Sequence, residues 1–328
     1  MNTRKRGIGR LALGLLLGLT FAPAASFAQE PYPNHPIRLL VGFQAGASAD
    51  VSARIAAQKI GTLLGQAVVV ENRPGASSNI AAKAVAAAAA DGYTLYVCTV
   101  ANVINTAARG NATVDIGREM LPVARIGAVP NILVVNPSLG VDTLPAFIAL
   151  LKARPGQIAY ATAGTGTALH MAAALFSQMA GVQMLHVPYQ GSAAAVTDLL
   201  GGQTQVMFAP ASTVLPHVKA GKLKALASTG VRRTAAAPEL PTLDELGMKG
   251  FESVVWLGIT GPNGLPPAVV KALETATQNA VAAADVQSQF KAQGIEGAAQ
   301  DHTEFAGYVR SETDKWTRVI REAGIKLD

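Results

Sequence analysis

Short apolar runs of strand length alternate along this chain with stretches of helical spacing. Ile37–Val41 is such a run. The small-residue loop Gly42–Asp50 follows it, and 51–64 reads as a helix closed by Gly65. Ala67–Glu71 is a second strand and Asn72-Arg73-Pro74-Gly75 a turn. Ser77, Ser78 and Asn79 are caps for an Ala-rich helix 80–90, and Asp91-Gly92 turns into a strand over 94–99. That βαβαβ order predicts right-handed crossovers and a parallel sheet. Leu121–Ile126 and Asn131–Val135 read as two short extended runs separated by Pro130, a bridge into a second unit.

The second unit repeats the alternation. A helix over 145–153 precedes a strand over 157–162, a Gly/Thr loop and a helix over 168–180. Strand 184–187, turn 188–191, helix 192–200 and strand 205–209 follow, then a helix 213–220 capped by Ser212 and a strand 223–227. Residues 231–250 are Pro-rich and irregular, with a turn of helix at 243–246. Val254–Ile259 is a strand returning to the first unit. Helices over 266–284, 286–293 and 303–323 finish the chain. In the last, Phe305, Tyr308, Trp316, Val319 and Ile320 are spaced for core packing.

The pattern therefore predicts an α/β chain of two lobes. Each is a mainly parallel sheet flanked by helices, and two strands join them. The expected division is lobe 1 at 29–129 plus 250–328 and lobe 2 at 130–249. Ligands of open parallel sheets sit at the carboxyl ends of the strands. Two matching loops occupy that position: Phe43, Gln44, Ala45, Gly46, Ala47, Ser48, Ala49 and Asp50; and Thr162, Gly164, Thr165, Gly166 and Thr167. In each, a strand ends, glycine turns the chain and a helix begins. Helix-start amides are unpaired and carry the positive end of the dipole, so small residues there admit an anion. Taken alone, the second stretch reads as a tight βα turn sooner than as an anion site. Asp50 reads as a cap whose carboxylate turns back to the backbone.

Composition narrows this picture. Half the residues are hydrophobic and 15% are charged, a globular balance. Arg4, Lys5, Arg6 and Arg10 precede an apolar run, Leu11–Ala22, too short to span a bilayer, and Ser26-Phe27-Ala28 is a small-x-small cleavage site. Residues 1–28 thus read as a secretory signal cut before Gln29. Its removal takes the net charge from +6 to +2. The basic pI belongs largely to the export segment, and no basic run interleaved with aromatics points to nucleic acid. The single cysteine, Cys98, lies in a strand-like run and reads as a buried, inert thiol.

No nucleophile elbow or P-loop is present, and Leu169 fills the third glycine position of a dinucleotide fingerprint begun by Gly164 and Gly166. His35, His170, His186, His217 and His302 lack metal-ligand spacing, so His170 and His186 read as hydrogen-bonded structural residues. Glu239, Asp244 and Glu245 read as solvated charges. No cofactor, metal or catalytic residue is expected.

Longer motifs carry a resemblance. Tyr32-Pro33-Asn34-His35-Pro36-Ile37-Arg38, Asp50-Val51 with Ala53-Arg54, Val70-Glu71-Asn72-Arg73-Pro74-Gly75-Ala76 and Asp91-Gly92-Tyr93-Thr94-Leu95 stand in order. His186-Val187-Pro188-Tyr189, Asp198-Leu199-Leu200-Gly201-Gly202-Gln203, Pro241-Thr242 and Lys315-Trp316 follow. Over the whole mature chain the sequence resembles the Bug family, the TctC-like substrate-binding proteins of tripartite tricarboxylate transporters. The resemblance implies a Venus-flytrap periplasmic binding protein fold and a receptor that closes on a carboxylate and delivers it to a membrane permease. It implies ligand contacts from the loops Phe43–Asp50 and Thr162–Thr167, with Ser77, Ser78, Thr99, Gly191 and Ala209 lining the cleft. The chain departs from the family pattern at Gln44-Ala45, where two prolines are usual, and at Ala49, where Thr is usual. It departs again at Gln190 and Gln205, where Lys and Asp are common.

The expected partners are a small organic acid (a di- or tricarboxylate or an aromatic acid) and the permease subunits, with the chain acting as a monomer. A sensor that docks on a membrane kinase is an alternative use of the same site. A periplasmic enzyme with His170 or Asp50 as base is a third reading.

Overall fold

The apolar runs of the first unit become parallel strands: β1 (Ile37–Val41), β2 (Val68–Asn72) and β3 (Thr94–Thr99), with β1 between the other two. Helix α1 (Ser48–Leu64) buries Ala49, Ala53, Ala56, Ala57 and Ile60, small residues at helical spacing that bring it close to the sheet. Gly65 ends it in the left-handed conformation. Helix α2 (Asn79–Ala86) is shorter than its sequence pattern, and the side chain of Ser78 does not cap it. This computed structural model describes Met1 and residues 32–109, 113–189 and 191–325, so the export signal and Gln190 lie outside the described residues.

Helix α3 (Val100–Arg109) leaves β3 with no loop between them. The sequence pattern misses it because neither Gly nor Pro marks the corner. Asn102 supplies the missing cue: its Oδ1 accepts the Thr99 amide at 3.0 Å and holds the strand-to-helix bend.

The two extended runs around Pro130 are one strand, β4 (Met120–Val135). Proline lacks the ladder donor, so it sits where pairing changes. The register shifts between Pro122 and Ala124, and Pro130 is the last residue of β4 paired with the first sheet. Beyond it come α4 (Leu144–Ala153), β5 (Ala159–Thr162), α5 (Ala168–Ala180), β6 (Leu185–Pro188), α6 (Ser192–Leu200), β7 (Val206–Pro210), α7 (Ala211–Lys219) and β8 (Lys224–Ser228). Strand β5 pairs in parallel with β6 and β7. Helix α7 starts directly after Pro210, so Ser212 lies inside it and is not its cap. Residues 243–246 form a turn without helix. There Glu245 accepts the Thr242 amide and Asp244 the Gly250 amide, so both carboxylates are structural and not merely solvated.

Strand β9 (Val254–Pro262) returns to pair antiparallel with both β3 and β4. Then come α8 (Pro267–Ala282), α9 (Ala284–Ala292), β10 (Glu296–Gln300) and α10 (His302–Ala323). The sequence pattern gives no sign of β10, which has only Gly and Ala between its polar ends. It pairs with β4 at Gly127, where an added Cβ would meet Glu296 O at 2.4 Å. The main sheet order is β2-β1-β3-β9-β4-β7-β5-β6, with β8 and β10 both on β4. On α10, Phe305, Trp316, Val319 and Ile320 are buried, and Glu312 accepts the indole N–H groups of both Trp256 and Trp316.

Buried Glu274 ties α8 to the start of α10. It accepts Lys271 Nζ at 2.8 Å and the His302 amide at 3.1 Å. Burial alone would raise its pKa, but Lys271, the His302 ring with its Nδ1 at 2.6 Å and the His302 amide outweigh burial and hold the carboxyl down at about 2. A depressed carboxyl stabilises the fold above its unfolded pKa of about 4.3, and that stability is lost as pH falls toward 2. Glu274→Gln is expected to cost about 2 kcal/mol at pH 7, after allowance for the exposed Lys271. The gap from wild type should close near pH 2 when urea midpoints are compared.

Candidate functional site

The connections in β4 bring the two loop sets together. Strand β4 runs in the direction of β1–β3, because β9 is antiparallel to both β3 and β4. It is antiparallel to β7 and so runs against β5–β7. The carboxyl end of β3 lies level with Gly127 through Leu257, and that of β7 lies level with Asn131. The carboxyl edges of the two parallel sets therefore face each other across about 13 Å of extended chain. At this crossing Thr229 Oγ1 donates to Ser253 O at 2.7 Å, while Asn131 Nδ2 donates to the same carbonyl at 3.2 Å.

Two loops on these edges share one construction. In each, an amide donates to the carbonyl three residues back: Ala47 to Gln44 at 3.2 Å and Thr167 to Gly164 at 3.4 Å. The third residue of each turn is a left-handed glycine, Gly46 at φ +82° and Gly166 at φ +76°. That is the glycine position of a type II turn. The next residue begins a helix, and the side chain three residues into it accepts the glycine amide. Asp50 Oδ2 takes Gly46 N–H at 2.9 Å, and His170 Nδ1 takes Gly166 N–H at 3.1 Å.

In the first loop Asp50 is buried and also accepts Arg54 Nε at 3.0 Å and Asn72 Nδ2 at 2.8 Å. Burial opposes its charge, but Arg54, the Gly46 amide and Asn72 together keep the carboxyl below the usual range. The guanidinium of Arg54 is thus committed to Asp50 and Asn72. Asn72 also donates to Phe43 O at 3.0 Å, pinning the loop to β2. Phe43 is half-buried, Gln44, Ala45 and Gly46 are exposed, and Ala47 and Ser48 are half-buried, whereas Ala49 lies inside.

In the second loop Thr162 Oγ1 accepts the Gly164 amide at 3.2 Å and lies 2.7 Å from His186 Nε2. Thr167 Oγ1 donates to Gly164 O at 2.8 Å and accepts the His170 amide, capping α5. The amides of Gly164, Gly166 and Thr167 are therefore engaged inside the loop. Those of Thr165, Ala168 and Leu169 have no acceptor among the described residues. Ser48 and Ala49 hold the same position on α1. Sequence reading concentrates on the glycines and passes over Ala168 and Leu169, whose side chains carry no signal. Under the loop, the rings of His170 and His186 stack at 4.1 Å and 8°, with Tyr160 at 4.9 Å from His186.

A third loop joins the first. Ala76, Ser77 and Ser78 all hold positive φ, at +46°, +49° and +77°. Ser78 is buried, bonded through its hydroxyl to Tyr96, which also contacts Asn102 at 3.0 Å. Asn105 donates to Ser77 O at 2.8 Å. An L-residue pays about 1–2 kcal/mol for this conformation. Ser77→Gly is expected to stabilise the protein by about 0.5–1 kcal/mol, after the entropy glycine adds to the unfolded chain. The increase would be read as a rise in Tm. Thr99 is buried beside the same network, Gly191 turns after β6 at φ +109°, and Ala209 is buried opposite Ile132. Gln205 lies at the far end of β7, accepting the Ala159 amide.

Among the described residues no group of three or more metal-binding side chains is clustered, and no helix is long and apolar enough to cross a membrane. Cys98 is buried, its thiol pushed up to about 12 chiefly by burial. A groove of about 690 Å³ runs along α1 and β2, past Gln58, Gly61 and Gln66. It belongs to the outer face of that layer and not to the facing loops.

The model of the tripartite tricarboxylate transporter family receptor matches residues 52–325. The chain is 36% identical over 306 residues to protein BugT of Bordetella pertussis, covering 93% of this chain and 94% of that one. Two solved structures are similar. One is the periplasmic binding protein BugD, with TM-score 0.77, 30% identity and coverage of 90% of this chain and 100% of that one. The other is an R. palustris protein, Rpa4515, with adipate, at TM-score 0.79 and 31% identity, covering 90% and 99%.

Proposed function

The chain belongs to the tripartite tricarboxylate transporter receptor family, and on that premise we propose a periplasmic receptor that closes on a small organic carboxylate. It passes that ligand to a tripartite-type membrane transporter and carries out no catalysis. Its fold is that of the periplasmic binding proteins. The division into lobes at 29–129 plus 250–328 and 130–249, with export from a signal ending at Ala28, forms part of the same proposal.

The observation that carries it is the pair of matching loops on opposed sheet edges, each ending in a helix start with free amides. A dicarboxylate has the matching symmetry, with one acidic group for each jaw. One carboxylate lies against Thr165, Ala168 and Leu169, the other against Ser48 and Ala49, and the half-buried Phe43 covers the chain between them. Asp50 and His170 are then supports that shape the loops, while Ser77 and Thr165 offer exposed hydroxyls. With Arg54 committed elsewhere, neutral donors meet the ligand, and exclusion of water on closure strengthens them.

Calorimetry and thermal shift with a panel of mono-, di- and tricarboxylates test this, adipate among them because the R. palustris relative holds it. Ligand at a hundred times its Kd should stabilise the protein by about 2.7 kcal/mol. If no carboxylate shifts the melting temperature, the receptor reading is wrong. Recovery of a chemically altered acid after incubation would favour an enzyme instead.

A further inference from the structure

The two jaws differ at one position, the residue that accepts the glycine amide. In the first jaw it is Asp50, an anion neutralised by Arg54 and fixed as an acceptor. In the second it is His170, whose Nδ1 accepts Gly166 N–H only while that nitrogen carries no proton. The neighbouring ring, His186, reaches the other loop glycine through Thr162, which accepts the Gly164 amide. Two imidazoles thus control both glycines of the loop. They lie nearly parallel at 4.1 Å, so a charge on one ring disfavours a charge on the other and the two titrate as a coupled pair.

We propose that this His170–His186 pair couples anion binding at the second loop to the uptake of one proton. The inference rests on the receptor reading for the presence of an anion there. With His170 neutral, Gly166 N–H is held inside the turn. Protonation at Nδ1 removes the acceptor, frees the Gly166 amide and turns Nδ1–H into a donor beside the start of α5. Each change adds a donor where an anion would sit, and the anion in turn favours the imidazolium. Burial, with His186 beside it, brings the pKa of His170 down to about 4 in the empty site, and burial also lowers His186. A bound anion raises both.

The groups facing His170 are His186 from β6 and Tyr160 from β5. The other elements packed on α5, namely β7, α3 and α10, bring apolar residues such as Phe208, Val103 and Ile320 to the shared core. Among the described residues His186 is the titratable neighbour that acts on His170, whereas Glu322 of α10 meets α5 two turns further on, at Gln178. Tyr160 stays neutral, its pKa raised by burial.

Two measurements test the coupling. In the ligand-free protein, the Gly166 amide resonance should move with the same midpoint as the His170 ring nitrogens. In His170→Asn, where the amide oxygen still accepts Gly166 N–H, that movement should vanish. A Gly166 amide that stays flat while His170 titrates overturns the proposal without any ligand. In the second, adipate is titrated calorimetrically at several pH values in buffers of different ionisation enthalpy. Wild type should take up more protons than His170→Asn, and its affinity should rise by up to about tenfold more for each unit that the pH falls. The ionisation of adipate itself cancels between the two proteins. Equal uptake overturns the coupling; if wild type binds no adipate, the titration is run with the carboxylate of the panel that does bind, and if none binds at any pH the receptor reading fails and the resonance test alone decides the switch.

Discussion

Gly42→Ala is expected to lose carboxylate binding altogether and to destabilise the fold by about 3 kcal/mol. A Cβ at 42 would fall 1.8 Å from Ser78 Oγ and 2.7 Å from Ser78 Cα. The second contact is backbone, so no rotamer change relieves it. The turn 76–78 would have to move, yet three consecutive left-handed residues and the bonds from Tyr96 and Asn105 hold it in place. The clash therefore spreads to the loop after β1, the loop after β2 and the polar network beneath them. Calorimetry with a bound carboxylate and urea unfolding would read the two losses. The double variant Gly42→Ala/Ser78→Gly removes the closest contacts and relaxes a positive φ, so it should recover part of both. Residues in direct contact are not additive, and here the coupling has a stated sign. If Gly42→Ala binds as wild type does, the loop after β2 is not part of the ligand edge.

That contact shows where sequence reading stops. The strands, the two Gly loops and the helix α5 are legible because apolar runs and glycines mark them directly, and Thr167 caps where a Thr before an apolar run should. Strand β4 reads as two runs of one bridge because Pro130 imitates a break; it lies where the pairing changes sheet, which only the neighbouring strands determine. Strand β10 is invisible because its pairing, not its side chains, makes it a strand. In the loops the glycines draw attention as donors, yet Gly46 and Gly166 spend their amides on Asp50 and His170. Of the amides left over, those of Thr165 and Ser48 lie on residues whose hydroxyls draw attention, but those of Ala49, Ala168 and Leu169 belong to residue types that carry no chemical signal of their own. The parallel between Asp50 and His170 is visible only in three dimensions, because the two side chains share a position and an acceptor role but no chemistry.

Asp50→Ala should cost about 3 kcal/mol and weaken carboxylate binding by about a hundredfold. Alanine would leave the Gly46 amide, Arg54 Nε and Asn72 Nδ2 without their common acceptor. Arg54 is half-exposed and can turn to water, which limits the stability loss. The Gly46 amide can likewise turn to water, but it then no longer closes the turn, and Asn72, tied to Phe43 O, loses its second acceptor, so the loop loses the turn that orients Ser48 and Ala49. Asp50→Asn separates support from charge. Its amide oxygen still accepts Gly46 N–H, so the turn persists, while the balance between Arg54 and Asp50 is broken and Arg54 becomes a free cation beside the ligand edge. Binding by Asp50→Asn is therefore expected to remain within about tenfold of wild type, and to be more salt-sensitive, because an exposed cation is screened by ions. If both variants bind alike, the loop does not depend on the Gly46 bond. If Asp50→Asn alone abolishes binding, the carboxylate itself meets the ligand, and that ligand carries a positive or donor group at this end.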